Sequence, residues 1–310
     1  MSHRSALTES PSAEVQDHHL GRSTLLSDYW ILTKPEVNFL ILITTVVGFY
    51  MASAKDGRPF SFAGLFNTLL GTLLVASGTG VLNQYLERTF DAQMRRTARR
   101  PAAAGRLSPS AVLTFGTALA VMGNIYLAAA VNLLASALAT LTLLTYLFVY
   151  TPLKRKTPLC VLVGAFPGAM PPLIGWAASS GRLNLEAGIL YAMLFLWQFP
   201  HFMAIAWMYR EDYDRAGYLV LPKGNARVPF VILETLLPLL ALIVISILQF
   251  PTPHVATVYS AVAILGAGFT YFGWMFVFER SRVAARRLLT ASIVYLPLVY
   301  GLCATCNRAR

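Results

Sequence analysis

Apolar residues gather along this chain into nine long stretches, at about 37–54, 62–82, 110–129, 133–152, 158–178, 187–208, 229–249, 255–278 and 288–304. At 1.5 Å per residue, each is long enough for a helix to cross most or all of a hydrocarbon core of about 30 Å. Short polar segments separate them. The pattern predicts an all-α, polytopic membrane protein with nine transmembrane helices. Pro167, Pro171, Pro172, Pro200, Pro238 and Pro297 fall inside these stretches. A helix bundle tolerates them, because neighbouring helices can satisfy the carbonyls that a proline frees. Residues 35–306 read as a single membrane-embedded domain. Residues 1–34 are polar and lack an apolar core of signal-peptide type, so they read as a disordered cytoplasmic tail in which His18 and His19 are solvated.

Composition sharpens the picture. Hydrophobic residues make up 56% and charged residues 13% of the 310, whereas a soluble domain carries about 25% charged residues. A net charge of +11 would suit a nucleic-acid binder, but the positive charge lies in short loops between apolar spans, where topology requires it. If the N-terminus is cytoplasmic, only Lys55, Arg58, Arg182, Arg308 and Arg310 of the 25 lysines and arginines lie outside. That bias supports both the orientation and the number of spans. Of the three cysteines, Cys160 lies in an apolar run, and Cys303 and Cys306 form a C-x-x-C without further ligands. They read as small apolar residues.

The chemistry concentrates in residues 83–106, NQYLERTFDAQMRRTARRPAAAGR. Asn83, Glu87 and Asp91 recur every four residues and share one helix face. Arg88, Arg95, Arg96, Arg99 and Arg100 lie close by. Carboxylates hold a hard divalent cation, and arginines hold phosphate oxygens. Side by side at a membrane boundary, they suit a metal–diphosphate ligand. A second acidic cluster, Glu211, Asp212 and Asp214, follows the sixth span. Four spans separate it from the first, so both emerge on the same cytoplasmic side. The chain thus reads as two four-span halves, each with an acidic motif after its second helix, plus a ninth span. Asp212 is the candidate for a further metal-binding acid; Asp214 points about 200° away from it on a helix. Intramembrane carboxylates could also serve a cation-coupled transporter, which would place them near the midplane in broken helices.

The run Asp91, Met94, Arg96-Thr97 and Arg100-Pro101 reads D-x-x-M-x-R-T-x-x-R-P. Together with YTPLKRKTP (150–158), GAFPGAMPPLIGW (164–176) and HFMAIAWMYREDY (201–213), it resembles the UbiA-type intramembrane prenyltransferases, and within them the heme O synthase (protoheme IX farnesyltransferase) branch. The resemblance spans about residues 30–300. It implies a nine-helix bundle with a cytoplasm-facing active site in a bacterial inner membrane. It further implies farnesyl transfer from farnesyl diphosphate to a vinyl group of heme b, with addition of water, giving heme O. Mg²⁺ would be held by Glu87, Asp91 and Asp212, with Asn83, Arg96 and Arg100 completing the catalytic set. Lys154, Arg155, His201, Tyr209 and Arg210 would contact the substrates. His201 is the only histidine inside a predicted span, and haem iron commonly takes a histidine ligand. The branch also implies supply of heme A synthesis, with a heme A synthase as partner.

Two positions depart from the wider superfamily: Ala216 stands where a second acid is often found, and Glu87 stands where many relatives carry Asp. Transfer to an aromatic or quinone precursor is the alternative within the same superfamily.

Overall fold

The structure, a computed structural model, describes residues 24–55, 59–248 and 255–306. Regular structure among these residues is helical throughout. The chain runs through α1 (Leu25–Leu32), α2 (Pro35–Lys55), α3 (Phe62–Asp91), α4 (Pro109–Ala130) and α5 (Leu133–Leu144). A π-helical turn, Thr145–Tyr150, carries α5 into α6 (Thr151–Leu153). Then come α7 (Cys160–Gly168), α8 (Pro171–Ser180), α9 (Leu185–Met208) and α10 (Arg210–Arg215). After a 3₁₀ turn, Gly224–Ala226, follow α11 (Arg227–Leu248), α12 (Val255–Glu279) and α13 (Arg282–Cys306). Nine helical segments of the described residues are long and apolar enough to cross a membrane.

The predicted spans are all present; the second ends later than expected, and the fourth and fifth depart from a continuous α-helix. The second continues past residue 82 to Asp91, because Asn83, Gln84, Glu87 and Asp91 are buried inside the bundle rather than released into a loop. The fourth ends in a π turn, Thr145–Tyr150. The fifth breaks at Ala169 and Met170, and Pro171 starts the new helix at a position where its missing N–H costs nothing.

The tail expectation is also corrected. Residues 25–32 form α1, with the Thr24 hydroxyl accepting from the Ser27 N–H as its cap. This helix is tied down. Arg106 donates to both carboxylate oxygens of Asp28 at 2.8–3.0 Å, and the Gln84 amide donates to the Leu32 carbonyl at 2.8 Å. Residues 1–23, with His18 and His19, lie outside the described residues.

Small residues let the first half of the bundle close tightly. A Cβ on Gly175 of α8 would run into the Thr45 carbonyl of α2, and one on Gly48 would run into the Pro172 carbonyl. Likewise a Cβ on Gly78 of α3 would lie 2.5 Å from the Ala120 nitrogen of α4. Lipid tails are as apolar as leucine, so close backbone approach and van der Waals contact drive such pairings. In the second half, α9 packs against α11 and α13, and α12 joins those two. One continuous core, including Met193, Met203, Phe276 and Tyr300, runs through these helices and reaches Trp176 of α8. This packing brings the ends of α1, α3, α6 and α10 together at one face of the bundle.

Candidate diphosphate-binding site

The last turns of α3 form a polar ladder. Asn83, Glu87 and Asp91 sit one above another, and all three are buried. The Asn83 amide donates to Glu87 Oε2 at 2.9 Å and to Thr151 Oγ1 at 3.3 Å. Glu87 Oε1 accepts from Lys154 Nζ at 2.8 Å and from the Tyr218 hydroxyl at 3.1 Å. Asp91 Oδ2 accepts from Arg100 Nη1 at 2.8 Å. Buried carboxylates persist only when paired and hydrogen-bonded, and each of these has a cation.

The loop after α3 folds back to supply Arg100. Its turns include Met94 N–H to the Asp91 carbonyl and Arg100 N–H to the Thr97 carbonyl, and Gly105 takes a left-handed φ of 69°. The Thr97 hydroxyl donates to the Asp91 carbonyl at 2.9 Å.

A further cation comes from an unpredicted quarter. Lys34 occupies the connection between α1 and α2 with a left-handed φ of 54°. Its stem passes Gly80, and its Nζ donates to Asn83 Oδ1 at 3.2 Å. Burial, then the positive charge of Arg100, lowers its pKa to about 7, against the weaker pull of Glu87. For Lys154, burial acts downward, but Tyr150, Glu87 and Tyr146 together outweigh it and hold the ammonium well above the usual lysine value. Its Nζ lies 4.5 Å from the centre of the Tyr150 ring. Burial, then the charge of Glu87, raises the Tyr218 hydroxyl, so it stays a donor.

The second motif contributes differently from the sequence expectation. Asp212 accepts from Arg215 at 3.0 Å, and Asp214 accepts from Arg227 at 3.1 Å. Among the described residues, no group of three or more His, Cys, Asp or Glu side chains stands close enough to hold a metal. The expected trio of Glu87, Asp91 and Asp212 is therefore not gathered in one cluster. Glu87 and Asp91 share α3, whereas Asp212 rides on the separate α10 and turns to its neighbour Arg215.

The other expected residues line the same end. Arg96 lies over the Tyr209 ring at 5.2 Å, and Arg155 over Phe90 at 4.6 Å. Arg210 lies over Trp207 and donates to its carbonyl at 2.9 Å. Ala216 is buried with Tyr218 against Met94, which clips the two motifs together by apolar contact. His201 lies deeper in α9, with Nδ1 2.8 Å from Ser292 Oγ of α13. Sequence reasoning missed Lys34, Thr151 and Tyr218. For Lys34 the one signal was its position at the N-terminal end of the first span.

The donor set fits Mg²⁺ in the way this ion is usually bound, by one or two carboxylates with substrate phosphate oxygens and water. Glu87 and Asp91 supply two acids one turn apart. Asp91 Oδ1 has no hydrogen-bond partner among the described residues and is not sealed from solvent.

Known proteins share this sequence pattern and this fold. The profile described as the UbiA prenyltransferase family matches residues 41–296. The protoheme IX farnesyltransferase of Solibacter usitatus is 43% identical over 284 residues, covering 89% of this chain and 97% of that protein. The protein of the same name from Koribacter versatilis is 39% identical over 295 residues, covering 91% and 93%. Among solved structures, one of digeranylgeranylglyceryl phosphate synthase superposes with a TM-score of 0.71 at 16% identity, covering 92% of this chain and 99% of that one. A UbiA homologue of Archaeoglobus fulgidus, bound to GPP and Mg²⁺, gives 0.59 at 14% identity, covering 89% and 99%. These two structural matches speak for the fold alone.

Proposed function

Because the chain belongs to the UbiA prenyltransferase family, we propose that it transfers the farnesyl group of farnesyl diphosphate to a vinyl group of heme b, with addition of water, giving heme O. The observation that carries this reading is the buried Asn83–Glu87–Asp91 ladder ringed by Lys34, Lys154, Arg100 and Tyr218. A pair of acids enclosed by donors at one end of an apolar bundle suits a charged head with a long apolar tail. The names of the relatives at 43% and 39% identity supply the acceptor.

Glu87 and Asp91 would hold Mg²⁺. When bound, that ion neutralises the diphosphate and makes it a better leaving group. The remaining work falls to this chain's own side chains. Lys34, Lys154 and Arg100 present N–H donors to the diphosphate, with Arg96 and Arg155 nearby, so charge that builds on the leaving oxygen is met by preorganised donors. The bond from farnesyl C1 to that oxygen breaks, and its electron pair leaves with the diphosphate. The vinyl π electrons then form the new C–C bond to the allylic cation. Water adds to the resulting cation and releases a proton. Apolar spans surround the tail and keep water out until that step. The ring centres of Tyr146 and Tyr150 lie 5.9 and 4.5 Å from Lys154 Nζ, and rings so placed would favour an allylic cation by cation–π attraction.

In this reading the site faces the cytoplasm from a bacterial inner membrane, and the product feeds a heme A synthase. The test is to incubate purified protein with farnesyl diphosphate, Mg²⁺ and either heme b or 4-hydroxybenzoate, and to weigh the products. Heme O alone is expected. A preparation that binds heme b and farnesyl diphosphate but makes no heme O overturns the proposal, and prenylated 4-hydroxybenzoate would point to the aromatic-acceptor alternative.

A further inference from the structure

Trp197 and His201 lie one turn apart on α9, with ring centroids 4.5 Å apart and planes 26° from parallel. Both fasten to one residue of α13. The Trp197 indole N–H donates to the Ser292 carbonyl at 2.8 Å, and His201 Nδ1 lies 2.8 Å from the Ser292 hydroxyl. That hydroxyl donates its one proton to the Leu289 carbonyl at 2.6 Å. It can therefore only accept from His201, so the imidazole proton sits on Nδ1 and the lone pair on Nε2. Nε2 has no hydrogen-bond partner among the described residues, and it is not among the sealed polar atoms. A ring held rigidly in one tautomer, with its lone pair open, is how proteins present a histidine to a metal. A merely structural histidine would leave that lone pair unmet in an apolar bundle, at a desolvation cost.

Depth is consistent with such a role. His201 precedes Tyr209 by two helical turns, about 12 Å along α9, and Tyr209 lies under Arg96 at the diphosphate end. A planar metal macrocycle ligated at His201 would lie in the apolar interior, below the charged head of the prenyl donor. We propose that His201 Nε2 is an axial ligand of the iron of the heme acceptor, and that Ser292 is the positioning residue that fixes its tautomer. This rests on the heme-farnesylation reading above.

The test is optical and EPR titration of the purified full chain with hemin, in detergent, alongside direct measurement of farnesyl diphosphate binding. Wild-type protein should give a histidine-ligated spectrum. His201→Ala should lose that spectrum and bind hemin at least tenfold more weakly, and added imidazole should restore the ligation. Ser292→Ala should keep the ligation with about tenfold weaker affinity, as expected for loss of an outer-shell partner. Both variants should bind farnesyl diphosphate like wild type, which reports an intact bundle; should His201→Ala fail that check, His201→Gln takes its place. An unchanged spectrum and affinity in the His201 variant, with heme O still formed, overturns the ligand assignment and leaves the farnesylation reading standing. Wild-type protein that binds farnesyl diphosphate but not hemin overturns both.

Discussion

Replacing Lys154 by methionine would strand the carboxylate at the centre of the site. Lys154 Nζ and Glu87 Oε1 are 2.8 Å apart, and their side chains are only 13% and 8% exposed. Removing one partner of such a pair costs about 3–5 kcal/mol, because the remaining charge is buried without compensation. Glu87 would keep its hydrogen bonds from Asn83 and Tyr218, which puts the expected cost near the lower figure, about 3 kcal/mol. Changing Glu87 to glutamine as well removes the stranded charge while preserving an oxygen for Tyr218. The double variant should then lose only about 1 kcal/mol, the scale of an ordinary hydrogen bond. Buried Cys160 and Cys303 provide the readout: a thiol-reactive fluorophore reaches them as the bundle unfolds, in a Cys306→Ser background. Lys154→Met should melt about 5 °C or more below the parent, and the double variant should recover at least half of that loss. A single variant that melts with the parent, or a double variant less stable than the single, would refute the argument that charge compensation holds this site together.

Three further expectations concern the same end of the bundle. Asp91→Asn should abolish heme O formation while the protein still inserts in membranes; wild-type rates would contradict its assignment to the metal. With its pKa near 7, Lys34 is only partly charged in the empty site at neutral pH, and an anion favours its protonated form. Diphosphate binding should therefore take up a proton, and affinity should fall as pH rises above about 7, by at most about tenfold per unit. Lys34→Met should flatten that slope in a binding titration. Ala216→Asp should destabilise the protein by about 2–3 kcal/mol, since it buries an acid against Met94 and Tyr218; thermal unfolding measures this, and an unchanged melting temperature would count against that packing.

The sequence by itself determined what depends on local pattern. Spans of the right length set the nine long apolar helices found among the described residues, and four-residue spacing put Asn83, Glu87 and Asp91 on one helix face, as the buried ladder of α3 bears out. Hydropathy ended the second span at residue 82, because polar side chains look like a loop until their partners are known. Those partners come from far along the chain: Lys34 lies 49 residues from Asn83, and Lys154 and Tyr218 lie 67 and 131 residues from Glu87. The tertiary structure also decided that Asp212 pairs with Arg215 rather than joining the α3 acids, and that Ala216 packs against Met94. It decided as well that Ser292, 91 residues away, meets His201 Nδ1. Spacing fixes which side chains share a helix face. Which charge neutralises which depends on how helices pack and loops return, and only the assembled bundle settles that.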